Sequence, residues 1–314
     1  MHAAANNLRG GVSPRNTRLR GQSIIEYVLI AAVIGLVVVF AGPGVAGAIR
    51  NQFNQVTNAV DTGNDGDNFI SAEEKAYREA MKTVAQKEAK DWTLDEQKAA
   101  ATDIAKNGTS SVVYAKAKAA MDASTTWSVK LTNGETMTYR IIGINHDNLA
   151  DGSGKAGLTF ESVRAITRDV DRLNKDSNTG GWEKSEGRVK LNSGKLWNLL
   201  PAELQSNINA VKKVTNCIDC ADDNAALTAT VDKVFVLSST EIADDGHRDG
   251  RQYEFYKENG SRVRMDDSLS RWTRSLSVRS NKLFEYCRYD GTLGHNGQGG
   301  ATWGGTYLYP AFCF

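Results

Sequence analysis

The sequence predicts an α+β protein: a long apolar N-terminal helix, a helical spacer, and a C-terminal domain of mixed strands and helices. Three observations predict it. Residues 27–49 form an uncharged run of 23 residues, long enough to cross a bilayer core as a helix. Residues 73–121 are rich in Ala, Lys, Glu and Gln, the composition of solvated helices. From Trp127 onward, apolar and polar residues alternate with the two-residue period of strands. The expected divisions are 1–21 (basic leader), 22–60 (apolar helix), 61–124 (charged loop and spacer) and 125–314 (globular head).

Arg9, Arg15, Arg18 and Arg20 crowd the leader, which holds no acid. The whole chain carries a formal charge of +1, so setting these four aside leaves −3 for the remainder. That balance argues against nucleic acid as a partner, because phosphate binders present a basic face. The basic flank keeps the N-terminus cytoplasmic and sends the rest across the membrane. A plain signal anchor would explain this much, but two details go further. Gly21 sits between the basic and the apolar runs, and Glu26 interrupts the apolar one. A charge at mid-bilayer costs about 3 kcal/mol, so an idle Glu26 is not expected there.

The stretch RGQSIIEYVLIAAVIGLVVV resembles the processing and assembly region of type IV prepilins, and its Glu26-Tyr27 pair is similar to the Flp/Tad branch. The resemblance covers about residues 18–60. It implies that prepilin peptidase cuts between Gly21 and Gln22, making Glu26 the fifth mature residue. It also implies that Glu26 pairs with the free amino terminus of a neighbouring subunit, and a buried carboxylate is tolerable against a buried cation. Gly42-Pro43-Gly44 disrupts a helix, because Pro43 lacks an N–H and glycine favours disorder. The partners implied are further copies or other pilin subunits, the peptidase and the pilus assembly machinery. The inner (cytoplasmic) membrane would hold the chain before assembly, and an extracellular pilus or the cell surface afterwards. Flp pilins are usually tiny, whereas this chain continues to residue 314. That departure favours a minor, tip or cargo-bearing subunit. The alternative is a single-span surface binding protein or enzyme that never polymerises.

Residues 45–60 continue as an amphipathic helix, and DTGNDGDNFISAEEKAY follows. Calcium takes six to eight oxygens, and an EF-hand loop closes on a Glu at its twelfth position. Counting from Gly63 places Asp65 third, Asp67 fifth, the Phe69 carbonyl seventh, Ser71 ninth and Glu74 twelfth. Gly63 itself brings no side-chain oxygen, and Asp61 or Asn64 would replace it. The plainer reading is a solvated linker with Ser71 and Glu74 as a capping box. The spacer is expected as two or three helices, broken near residues 91–93 and at Asn107-Gly108, with Thr93 and Glu96 as another capping box.

In the head, Asn133-Gly134 signals a hairpin turn. Further strands are expected at 233–242, 251–258, 283–289 and 306–314, with helices at 161–174 and 202–215. Cys217, Cys220, Cys287 and Cys313 all lie beyond the apolar segment, and an even count there suits an oxidising compartment. Four cysteines allow three pairings; Cys287 with Cys313 is favoured, since both sit in strand-like runs near the end. Cys217 and Cys220 suit a local disulfide, a redox pair or half a metal site. His146-Asp147 resembles a dyad but lacks a visible nucleophile. Asp147, Asp151 and Ser153 suit either an ordinary loop or a second calcium site into which Lys155 intrudes. Trp182, Trp197, Trp272 and Trp303 suit either core packing or an exposed ligand platform.

Several segments of the head, among them INHDNLADGSGKAGLTFE, GGWEKSEGRVKLNSGKLWNLLP, VKKVTN, KVFVLSSTEI, RWTRS and YPAFCF, resemble a domain family of bacterial surface proteins. The resemblance covers about residues 125–314 and implies a C-type-lectin-like fold related to formylglycine-generating enzymes. The EPN, QPD and WND motifs of sugar-binding lectins and the copper-binding cysteine pair have no counterpart, so neither activity is implied. Together these readings predict an adhesive or ligand-binding head, with a host or neighbouring cell as the possible ligand source, and not an enzyme.

Overall fold

The computed structural model describes residues 72–167, 173–174, 178–215, 227–243, 248–260, 268–277, 284–294 and 306–314. Gly21, Gln22, Glu26, Tyr27 and Pro43 lie outside these residues, as do Asp61, Asp65, Asp67, Phe69 and Ser71. Glu74 falls in the first turn of the first described helix.

In chain order the helices are α1 (Ala72–Val84), α2 (Leu94–Asn107), α3 (Tyr114–Asp122), α4 (Glu186–Asn192), α5 (Ala202–Asn207), α6 (Ser239–Ala243) and α7 (Glu254–Asn259). The strands are β1 (Thr126–Lys130), β2 (Thr136–Ile144), β3 (Leu158–Ser162), β4 (Val211–Thr215), β5 (Thr228–Asp232) and β6 (Val234–Phe235). They continue as β7 (Ser270–Leu276), β8 (Phe284–Cys287), β9 (Leu293–Gly294), β10 (Thr306–Tyr307) and β11 (Ala311–Cys313).

This corrects the expected fold class. Among the described residues no helix is long and apolar enough to cross a membrane. The longest of them, α2, has 14 residues; at 1.5 Å per residue it spans about 21 Å, short of a bilayer core of about 30 Å. The described protein is a mixed, β-rich domain whose sheets are mostly antiparallel. The helical spacer is not separate from it. Trp127 on β1 donates its indole N–H to the Ala89 carbonyl at 3.0 Å, and Tyr139 on β2 donates to Gln97 on α2 at 3.2 Å. Apolar side chains from Val84 to Phe314 fill one continuous core. Ala-rich helices such as α2 make this possible, since small side chains let a sheet approach closely.

The first sheet runs β1-β2-β3-β11-β6 and is antiparallel throughout. The β1–β2 hairpin forms where the sequence predicts it. Leu131 N–H reaches Glu135 O at 2.8 Å, and Gly134 adopts φ +88°, a left-handed position that suits glycine. The C-terminal strand β11 is sandwiched between β3 and β6, so the last residues of the chain build the middle of the sheet. Tyr139, Phe160 and Phe312 pack edge-on and stacked around it, with ring centres 5.4–5.5 Å apart. A second sheet runs β10-β7-β8-β9, with β10 and β7 parallel, and β4 pairs with β5 alone.

Several expected elements change type. Glu161 and Ser162 belong to β3 rather than to a helix, because Glu161 pairs across to Arg140 and Ala311. The helix expected at 202–215 stops at Asn207, and β4 follows. The strand expected at 233–242 is β6 followed by α6. The strand expected at 251–258 gives way to α7, which buries Phe255 and Tyr256 together; on a strand these neighbours would face opposite sides. The run 306–314 divides into β10 and β11 around Pro310, whose ring cannot donate to a ladder.

Candidate functional site

The largest concentration of chemistry in the described domain is a buried ionic network between the three sheets. It starts on β4, whose alternation turns Lys212 outward and Lys213 inward. The Lys213 ammonium lies 2.6 Å from Asp147 Oδ1 and 2.6 Å from Glu241 Oε1, and donates to the Tyr253 hydroxyl at 3.1 Å. It also sits 4.1 Å from the centre of the Phe235 ring. Asp147 follows β2 and accepts from Thr159 at 2.7 Å and Tyr253 at 2.9 Å. Glu241 on α6 accepts both ends of the Arg274 guanidinium, at 2.5 and 2.7 Å. Arg274, from β7, also donates to the carbonyls of Val214, Val236 and Asp249. Asp249 accepts in turn from Ser275 at 2.5 Å.

Burial alone would raise the Asp147 carboxyl, but the Lys213 ammonium overcomes it and holds Asp147 well below the usual carboxylate range. Glu241 is held low in the same way, against burial, by Arg274 and then Lys213. Burial dominates at Asp249 and pushes its carboxyl up. Asp147 and Glu241 thus each meet a cation, Lys213 or Arg274 or both, a pairing that a low-dielectric interior tolerates. Asp147, Lys213, Glu241 and Arg274 are each at most 5% exposed, so their bonding capacity is spent inside the fold. The network joins the β2–β3 connection, β4, β7 and α6.

His146 and Asp147 do not form a dyad. Asp147 points into the network, while His146 stacks on Tyr253 with ring centres 3.9 Å apart and faces Glu254 at 3.3 Å and Arg251 at 3.3 Å. The loop after Asp147 is an ordinary turn: Asp151 accepts from both the backbone and the hydroxyl of Ser153, at 2.9 and 2.7 Å. Among the described residues, no group of three or more His, Cys, Asp or Glu side chains is placed to hold a metal ion.

Among the described residues the tryptophans do not form a platform. Trp182 and Trp272 are buried in the core, and Trp182 donates to Asp232 at 2.9 Å. Trp197 is partly buried with Lys233 over its ring, and Trp303 lies outside the described residues. The expected Cys287–Cys313 disulfide is absent, since both are free thiols. They stand on strands of different sheets, Cys287 opposite Arg271 and Cys313 within 3.4 Å of the Thr159 hydroxyl. Cys217 and Cys220 lie outside the described residues.

Sequence reasoning missed Lys213, Glu241, Asp249 and Arg274. Two signals were available. A strand assignment for VKKVT would have put Lys213 on the inward phase of Val211 and Thr215. Ser238 and Glu241 also form a capping box at the start of α6, with N–H contacts of 3.1 Å in both directions.

Residues 153–314 match the family model described as a domain of unknown function, DUF6273. No curated protein and no solved structure matches the chain, so no solved fold links the described domain to C-type lectins.

Proposed function

The chain belongs to the DUF6273 family, and from that premise we propose that it is an exported filament subunit of the Flp/Tad type IV kind, with the family domain displayed as its head. One observation carries the reading: Gly21 between a basic and an apolar run, with Glu26 five positions after Gly21. Prepilin peptidase cuts after Gly21, the apolar segment leaves the membrane, and Glu26 meets the new amino terminus of Gln22 on a neighbouring copy. Desolvation makes that pairing stringent, because a buried carboxylate without its cation is strongly unfavourable. The head contributes by binding at the surface, for adhesion or ligand capture; its interior charges hold the fold together and are not offered to a substrate.

Mass spectrometry of the exported protein tests the processing step. The expected N-terminus is Gln22; an intact Met1, or a cut beyond residue 40, removes the assignment. Glu26→Ala separates assembly from anchoring. It abolishes filaments in this reading, and filaments persisting in that variant would leave only a membrane-anchored binding protein.

In the same reading the loop from Asp61 to Glu74 takes calcium, through Asp61, Asp65, Asp67, the Phe69 carbonyl, Ser71 and Glu74, and stiffens the link between filament and head. Chelator is expected to lower the melting temperature of the exported protein. An unchanged melting curve would return that loop to a plain linker.

A further inference from the structure

A second buried charge cluster lies away from the Lys213 network and does not balance. Arg140 on β2 and Glu161 on β3 are direct cross-strand neighbours. Arg271 reaches them from β7 of the second sheet, and Tyr256 from α7. The Glu161 carboxylate accepts from Arg271 Nη1 at 2.5 Å and from the Tyr256 hydroxyl at 2.5 Å, and stands 3.7 Å from Arg140 Nη2. Arg271 Nη1 lies 2.6 Å from the Tyr256 oxygen as well.

Two guanidiniums thus share one carboxylate. Among the described residues, Glu161 is the only carboxylate within ion-pair distance of either. Neither nearby weak acid supplies a second negative charge. Burial pushes the Tyr256 phenol up and keeps it protonated, and burial does the same to the Cys287 thiol opposite Arg271. Arg140 is 5% exposed and Arg271 is 1% exposed. On each of them, Nε and Nη2 have no hydrogen-bond partner. The ring of Phe255 lies 4.3 Å from the Arg140 guanidinium and that of Tyr256 lies 5.0 Å from Arg271. Such stacking satisfies the flat face of a guanidinium and leaves its N–H edge unbonded. A buried donor without a partner is costly, more so when charged, and a buried surplus charge is costlier still.

We propose that Arg140 and Arg271 together bind a small inorganic anion of the halide class, which neutralises the surplus charge and receives their free N–H groups. The size follows from the burial: both side chains are enclosed, and Glu161 with Tyr256 already occupies the opposite edge of Arg271. The anion is a folding ligand, so it stabilises the native state in proportion to its free concentration over its dissociation constant.

The test is thermal unfolding of the full chain in detergent, in sodium chloride against sodium gluconate at equal ionic strength. Chloride well above its dissociation constant is expected to raise the midpoint by about 5 °C. Arg140→Met removes the surplus charge and is expected to unfold at the same temperature in both salts. Should that variant not fold, bromide-soaked crystals of the unaltered protein decide the matter, with an anomalous peak expected between Arg140 and Arg271. An unaltered chain indifferent to the anion overturns the proposal, as does only water between the two arginines in those crystals.

Discussion

Individual side chains in this domain matter most where charge is buried. Lys213 is the hinge of its network, since among the described residues it is the one cation that touches both Asp147 and Glu241. Lys213→Met keeps the length of the side chain and removes the ammonium. It is expected to cost about 4 kcal/mol near neutral pH, the range for breaking one partner out of a buried ion pair. The pH dependence gives a second readout. Asp147 and Glu241 have folded pKa values lowered below their ordinary ones, so the stability they contribute is complete above the usual carboxylate range. It is lost as pH falls below that range toward the folded values. Without Lys213, the largest cause that lowers Asp147 is gone, so its carboxyl rises and the stability it contributes near neutral pH shrinks. The gap between variant and unaltered protein, measured by urea unfolding, is therefore expected to be largest near pH 7 and to narrow toward pH 4. A gap that stays constant with pH would mean that Lys213 acts by packing alone.

At the level of elements, close approach between α2 and the first sheet explains why the spacer is part of the domain. Gly157, just before β3, lies so near α2 that a Cβ there would sit 1.8 Å from the Ala101 carbonyl oxygen. That obstacle is backbone, and it cannot swing away as a side chain would. Gly157→Ala is expected to destabilise by about 3 kcal/mol through overpacking, read as a lower urea midpoint. Gly134→Ala, in the hairpin loop where a Cβ meets nothing within 4 Å, serves as the comparison. It carries only the backbone penalty of its positive φ and is expected to cost less. Local signals predicted the elements well where they were self-contained. Thr93 and Glu96 form the expected capping box at α2, and Asn133-Gly134 turns the expected hairpin. They failed for short runs such as QYEFY, where aromatic content suggests a strand while burial of Phe255 and Tyr256 on one helix decides the outcome.

For the whole molecule, the order of strands brings the C-terminus into the middle of the first sheet, with Lys98 of α2 over the Phe314 ring. Helices α2, α3 and α7 pack on β2 and β3 of the first sheet, and β11, the last strand, completes its interior between β3 and β6. The spacer helices, with the capping box at Thr93 and Glu96, and the hairpin at Asn133-Gly134 were legible from sequence alone. Each depends on residues close together along the chain, so spacing and composition carry it. Tertiary structure decided what depends on distant residues: that Cys287 and Cys313 stay apart, that Trp182 and Trp272 are core, and that Asp147 answers Lys213 rather than His146. It also decided that Arg140 and Arg271 share Glu161. Such partners are separated by scores of residues, and only the packing of sheets brings them within a few ångströms, where low dielectric makes their charges count.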